Sequence, residues 1–109
     1  MFFISADDFF AKAGTFSRVT REEEKALARQ MADGDKAARE ALVQSYLPYV
    51  AAYIRRSPRS LHTLNTVYTC ISALEKAVDQ FDFLQDREPF SHQLSRWLRQ
   101  CITKCIANR

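Results

Sequence analysis

Apolar residues recur at three- and four-residue steps along most of the chain, and no stretch alternates residue by residue, so the pattern predicts helices and no strands. Ala38, Leu42, Tyr46, Val50 and Ile54 form one buried stripe at four-residue steps, widened by Ala41, Tyr49 and Tyr53. Leu61, Leu64, Val67, Tyr68, Ile71, Leu74, Val78 and Phe81 mark a helix of roughly twenty residues, the expected centre of a bundle. Phe90, Leu94, Trp97, Leu98, Cys101, Ile102, Cys105 and Ile106 give a last amphipathic helix.

Start and stop signals place the ends. Ser5 with Asp8, and Thr20 with Glu23, have the spacing of capping boxes, in which an N-cap oxygen and an acid three residues on satisfy free backbone N–H groups. Gly14 and Asp33-Gly34 are natural stops, so the second helix runs to about Met31. Asp35 can cap the third helix. Pro48 falls inside that helix, removes a hydrogen bond and clashes with the preceding turn, so a kink or restart is expected near Leu47. Ser57-Pro58 ends it, and Asp82 to Pro89, with Gln85-Asp86-Arg87-Glu88 inside, reads as a loop. The expectation is an all-α bundle of about five helices in a single domain over residues 1–109.

Composition narrows the class. A chain of 109 residues that is 47% hydrophobic, with 2 Gly and 3 Pro, has enough apolar surface to fold. No apolar run is long enough to span a membrane, and Met1-Phe2-Phe3-Ile4 lacks a basic leader, so a soluble, cytoplasmic protein is expected. Cys70, Cys101 and Cys105 cannot all pair, and they read as reduced core residues with no metal set and no cofactor. There is no glycine-rich phosphate loop or nucleophile elbow, so no catalysis is expected.

The net charge is only +3, but its distribution is uneven. Residues 41–74 hold no acid and contain Arg55, Arg56 and Arg59, read as a solvated turn, with a phosphate or polymerase contact as the alternative. Residues 89–109 are also acid-free and carry Arg96, Arg99, Lys104 and Arg109. Phe2, Phe3, Phe9, Phe10 and Phe16 make residues 1–19 an aromatic segment, either a short helix folded onto the bundle or a docking surface for a partner.

The last helix begins Phe90-Ser-His, passes through Trp97, continues Leu98-Arg-Gln100 and ends Ile102-Thr-Lys-Cys-Ile-Ala107. In this register it resembles the region 2.3–2.4 helix of sigma-70 family transcription initiation factors. Leu74-Glu-Lys-Ala-Val-Asp-Gln-Phe81 is similar to the end of region 2.2. Thr20-x-Glu-Glu-Glu24, Leu27-Ala28, Gly34-Asp35, Ala38-Arg39, Leu42 and Tyr46-Leu-Pro-Tyr-Val50 resemble regions 1.2 to 2.1, so the likeness covers residues 20–109.

The resemblance implies a non-catalytic domain that binds the β′ clamp helices of core RNA polymerase and reads promoter minus-ten DNA. The chain stops where region 2.4 stops, so the domain reading the minus-thirty-five element is expected from a second chain carrying later sigma domains. The expected DNA contacts are Gln93, Arg96, Trp97, Arg99, Gln100, Thr103 and Lys104: cations for phosphates, Gln100 and Thr103 for base edges. The expected polymerase contacts are Asn65, Tyr68, Thr69, Glu75 and Asp79. Two departures stand out. Gln93 and Arg96 replace aromatics on which the family stacks an unpaired base, and Asn65-Thr-Val-Tyr-Thr-Cys70 replaces an acidic region 2.2 signature. They define the alternative, a degenerate sigma-derived module that binds a protein such as an anti-sigma factor and does not initiate transcription.

Overall fold

The computed structural model describes residues 2–85 and 87–107. Met1, Asp86, Asn108 and Arg109 lie outside the described residues, as do the expectations that placed Asp86 in the loop and Arg109 among the last helix's cations. Among the described residues there are six α-helices: α1 (Ala6–Ala13), α2 (Arg21–Ala32), α3 (Lys36–Ser45), α4 (Leu47–Arg55), α5 (Leu64–Gln80) and α6 (Phe90–Ala107). A 3-10 turn, Arg59–Leu61, joins α4 to α5. The count exceeds five because Pro48, at the start of α4, divides the long third helix at Tyr46, as its ring geometry requires.

Local chemistry explains the ends. Thr20 and Glu23 make both arms of a capping box, and the Thr20 N–H holds the Glu23 carboxyl below its usual range. Asp35 Oδ1 accepts from Ala37 N–H and Ala38 N–H, and Gly34 takes the left-handed backbone, φ 94°, that an L side chain rarely adopts. At α1, Ser5 Oγ accepts from Asp8 N–H as expected, but the Asp8 carboxylate returns to Ile4 N–H rather than to the N-cap. Helix α5 starts later than Leu61: Thr63 Oγ1 accepts from Thr66 N–H and caps it, while Leu61 is buried from the 3-10 turn.

The α5 helix packs along α6 and also meets α1, α3 and α4, so it is the centre of the bundle. Leu42, Leu47, Val50, Ile54, Val67, Leu74, Leu94 and Leu98 are fully buried. Two aromatic clusters flank them. Phe3, Phe9 and Phe10 seat the N-terminal segment, and Tyr46, Phe81, Phe83 and Phe90 gather where α6 begins. Phe83, expected in a polar loop, is buried there, while the Asp82 carboxylate accepts from Leu84 N–H and Gln85 N–H to turn the chain.

Two members of the apolar stripes are exposed instead. Tyr68 is 38% accessible and Ile106 43%, because each sits at the edge of its helix's buried face. The aromatic N-terminus divides: Phe3 is buried and Phe2 is 74% exposed. No described helix is long and apolar enough to cross a membrane.

Candidate nucleic-acid interface

The inward turn of Leu94, Leu98 and Cys105 fixes the rotation of α6. Side chains three, four and seven residues apart share a helical face, so that rotation leaves Arg96, Arg99, Gln100, Thr103 and Lys104 exposed. Gln93 and Trp97 are half-buried.

These residues do not form one uniform surface. Trp97, Gln100 and Lys104 line a groove of about 420 Å³ between α5 and α6, opposite Asn65, Tyr68, Thr69, Ser72 and Lys76. Residues expected to touch DNA and residues expected to touch polymerase therefore share one cleft, and its charges are Lys76 and Lys104. Arg99 points to the other side of α6, into a groove with α4 lined by Tyr49, Tyr53, Arg56, Ser57, Ser95 and Ile102.

Ion pairing sorts the cations further. Both Arg96 guanidinium NH groups donate to Glu88, at 3.0 and 3.2 Å, and the pair holds the Glu88 carboxyl below its usual range. Arg99 and Lys104 have no carboxylate partner among the described residues. Thr103 Oγ1 donates to the Arg99 carbonyl at 2.9 Å, which commits its proton to its own helix and leaves its lone pairs outward.

The expected polymerase set is also divided. Glu75 and Asp79 face α3, away from the cleft. Arg39 Nε and Nη2 donate to Asp79 at 2.7 and 2.9 Å, and Glu75 lies 3.7 Å from the same guanidinium. That guanidinium lowers the Asp79 carboxyl below its usual range. Tyr68 is engaged by the N-terminal segment: its hydroxyl accepts from Phe3 N–H at 2.9 Å and lies 3.3 Å from the Phe3 carbonyl. No local pattern of residues signals this contact, which spans 65 positions.

The cysteines are all free thiols. Burial pushes the Cys70 thiol up to about 12, and Cys101, half-buried at the cleft, is raised for the same reason. Of the residues lining this second groove, Tyr49 and Tyr53 were expected only in the core and Ser95 was given no role, whereas Arg56 was among the cations for which a phosphate or polymerase contact was the alternative. The i, i+4, i+7 spacing of Tyr49, Tyr53 and Arg56 was a legible signal, masked because both tyrosines also continue the core stripe.

The unit so defined is a helical bundle that presents a cationic, polar helix beside a central helix. No family model matches the chain. Its sequence is 32% identical over 111 aligned positions to the RNA polymerase sigma factor SigA of Clostridium acetobutylicum, covering 97% of this chain and 29% of that protein. It is 36% identical to the principal sigma factor HrdD of Streptomyces viridifaciens over 83% of this chain, and 35% identical to HrdD of Streptomyces coelicolor over 87%. Over most of its own length the chain is thus similar to RNA polymerase sigma factors, as the resemblance of its motifs implied. It spans less than a third of the length of the relatives it matches, and coverage of 97% carries the similarity well into the aromatic segment before Thr20.

Proposed function

We propose that this chain is a sigma-like initiation unit that sets the exposed face of α6 against promoter minus-ten DNA while docked on core RNA polymerase. The observation that carries the reading is the state of Arg99, Gln100 and Lys104: solvent-facing on an acid-free helix, with neither cation paired among the described residues. Unpaired cations take phosphates without first breaking an internal ion pair, and an exposed glutamine can bond base edges.

Polymerase docking would use Asn65, Tyr68 and Thr69 against the β′ clamp helices, through polar and ring contacts instead of carboxylates. Glu75 and Asp79 would join only by leaving Arg39. The test is binding to a labelled minus-ten oligonucleotide across a salt series, with and without core polymerase. Sequence-dependent affinity that falls with salt supports the reading; affinity no better than for a scrambled sequence, even with polymerase present, refutes it.

A second reading, a protein-binding module without initiation activity, is favoured by one observation. The carboxylates near the expected docking face are taken by Arg39, and Tyr68 is taken by the Phe3 backbone. Co-purification separates the two: β′ recovered with the chain supports initiation, and an anti-sigma factor or a sigma factor recovered without β′ supports the module.

A further inference from the structure

Helices α1 and α4 leave a groove of different character between them. Pro48, Ala51, Ala52 and Arg55 fall at i, i+3, i+4 and i+7 and so share one face of α4. Phe10 and Gly14, one turn apart at the C-terminal end of α1, line the same groove, which measures about 500 Å³. Gly14 has φ −67°, ordinary helical backbone, and a Cβ there would meet only the Ala11 and Phe10 carbonyl oxygens, at 3.6 and 3.8 Å. The backbone does not require glycine at this position; its missing side chain leaves the mouth of the groove clear.

The floor is apolar and the rim is cationic. Phe10, Pro48, Ala51 and Ala52 offer no side-chain donor or acceptor. Above them the Arg55 guanidinium lies 4.9 Å from the Phe10 ring centroid, and Arg56, also on the rim, lies 5.7 Å from that of Tyr53. Stacking engages the flat face of a guanidinium and leaves the N–H groups in its plane free for a carboxylate. No carboxylate lines the groove, residues 41–74 contain none, and neither arginine has an acidic partner among the described residues.

We propose that this groove docks an acidic amphipathic helix of a partner protein. Its apolar anchors at i, i+4 and i+7 sit on Pro48, Ala51 and Ala52, and its carboxylates pair with Arg55 and Arg56. The nine residues of α4 rise about 13 Å, enough to seat those three anchors. Carboxylates favour the N-terminal turn of a helix, and the arginines stand at the C-terminal end of α4, so the partner runs antiparallel to α4. Nucleic acid fits less well. Phe10 is 8% exposed, its face under Arg55 and its ring edge-to-face with His62, so no base stacks there, and the floor has no group that reads a base edge. No residue of α6 lines the groove, so the assignment does not rest on the promoter reading.

The experiment titrates the ¹⁵N-labelled full chain with a synthetic peptide of about 18 residues, long enough to be helical alone, carrying one leucine stripe and glutamates elsewhere. A second peptide has lysines for the glutamates, and the third ligand is duplex minus-ten DNA. Amide shifts centred on Gly14, Ala51, Ala52 and Arg55 are expected with the glutamate peptide alone. Ala52→Glu, at an exposed helical position, should keep the dispersed spectrum of the folded chain and abolish those shifts. Arg55→Gln combined with Arg56→Gln should weaken the peptide about tenfold at low salt. The proposal is overturned if the glutamate peptide leaves those amides unmoved at millimolar concentration, if the lysine peptide binds as well, or if Ala52→Glu binds unchanged. DNA moving the same amides while the peptide does not would assign the face to nucleic acid and overturn it equally. Failure of minus-ten binding at α6 touches none of these outcomes.

Discussion

Phe90 anchors the start of α6, and its removal is the sharpest test of how the candidate face is held in place. The side chain is 2% exposed. Its ring meets Tyr46 at 4.7 Å and 67°, Phe83 at 5.0 Å and 37°, and Phe81 at 5.2 Å and 68°. Truncating a buried Phe to Ala typically costs about 3–5 kcal/mol, and favourable aromatic pairs add about 0.5–1.5 kcal/mol each beyond burial. Three ring partners lose contact at once, so Phe90→Ala should cost about 4 kcal/mol. Against a total stability of about 5–15 kcal/mol, that removes a large part of the margin.

Phe90→Leu keeps most of the volume and loses the ring geometry, so about 1–2 kcal/mol is expected. Urea unfolding followed by circular dichroism is the assay. With a slope near 2 kcal/mol per molar, Phe90→Ala should lower the midpoint by about 2 M at unchanged slope. A loss below about 1.5 kcal/mol, half the lower bound for such truncations, would refute the claim that this cluster fixes α6. Leu as damaging as Ala would refute it equally, since volume would then count for nothing.

Three further outcomes are expected. The Arg39 guanidinium depresses the Asp79 carboxyl below its ordinary value of 3.8, so this pair stabilises the fold at neutral pH, and the contribution is lost as pH falls below about 4 through the lowered folded value. Asp79 is half-exposed, which limits the effect to no more than about 1 kcal/mol after screening, and Asp79→Asn should flatten that part of the urea midpoint against pH. Glu88→Gln releases Arg96 to phosphates, so duplex binding should tighten and its salt slope steepen by about 0.9; unchanged salt dependence in an anisotropy titration would place Arg96 away from the DNA. With a small alkylating reagent, peptide mass spectrometry should find Cys101 labelled first and Cys70 last, because Cys70 is fully buried with its thiol pushed up to about 12 while Cys101 borders an open cleft; Cys70 reacting as fast as in the urea-unfolded chain contradicts the packing.

Helices and their order were legible in the residues themselves. The four-residue stripe from Ala38 to Ile54, the Thr20–Glu23 box and the break at Pro48 depend on backbone sterics and nearest-neighbour hydrogen bonds, and those act within a few residues of chain. The outward set Arg99, Gln100, Thr103 and Lys104 was readable for the same reason: once Leu94 and Leu98 turn inward, helical periodicity dictates what turns out. The availability of each outward group was a different matter. Arg39 reaches Asp79 across 40 positions, Tyr68 meets Phe3 across 65, and Tyr49 meets Ser95 across 46. Such contacts form only when separate helices are packed at particular rotations and separations, and one-dimensional periodicity carries neither quantity. The chain's own pattern therefore settled most of which side chains face solvent, with Tyr68, Ile106 and Phe83 placed otherwise by packing, and tertiary packing decided which remain free to bind and which clefts they share.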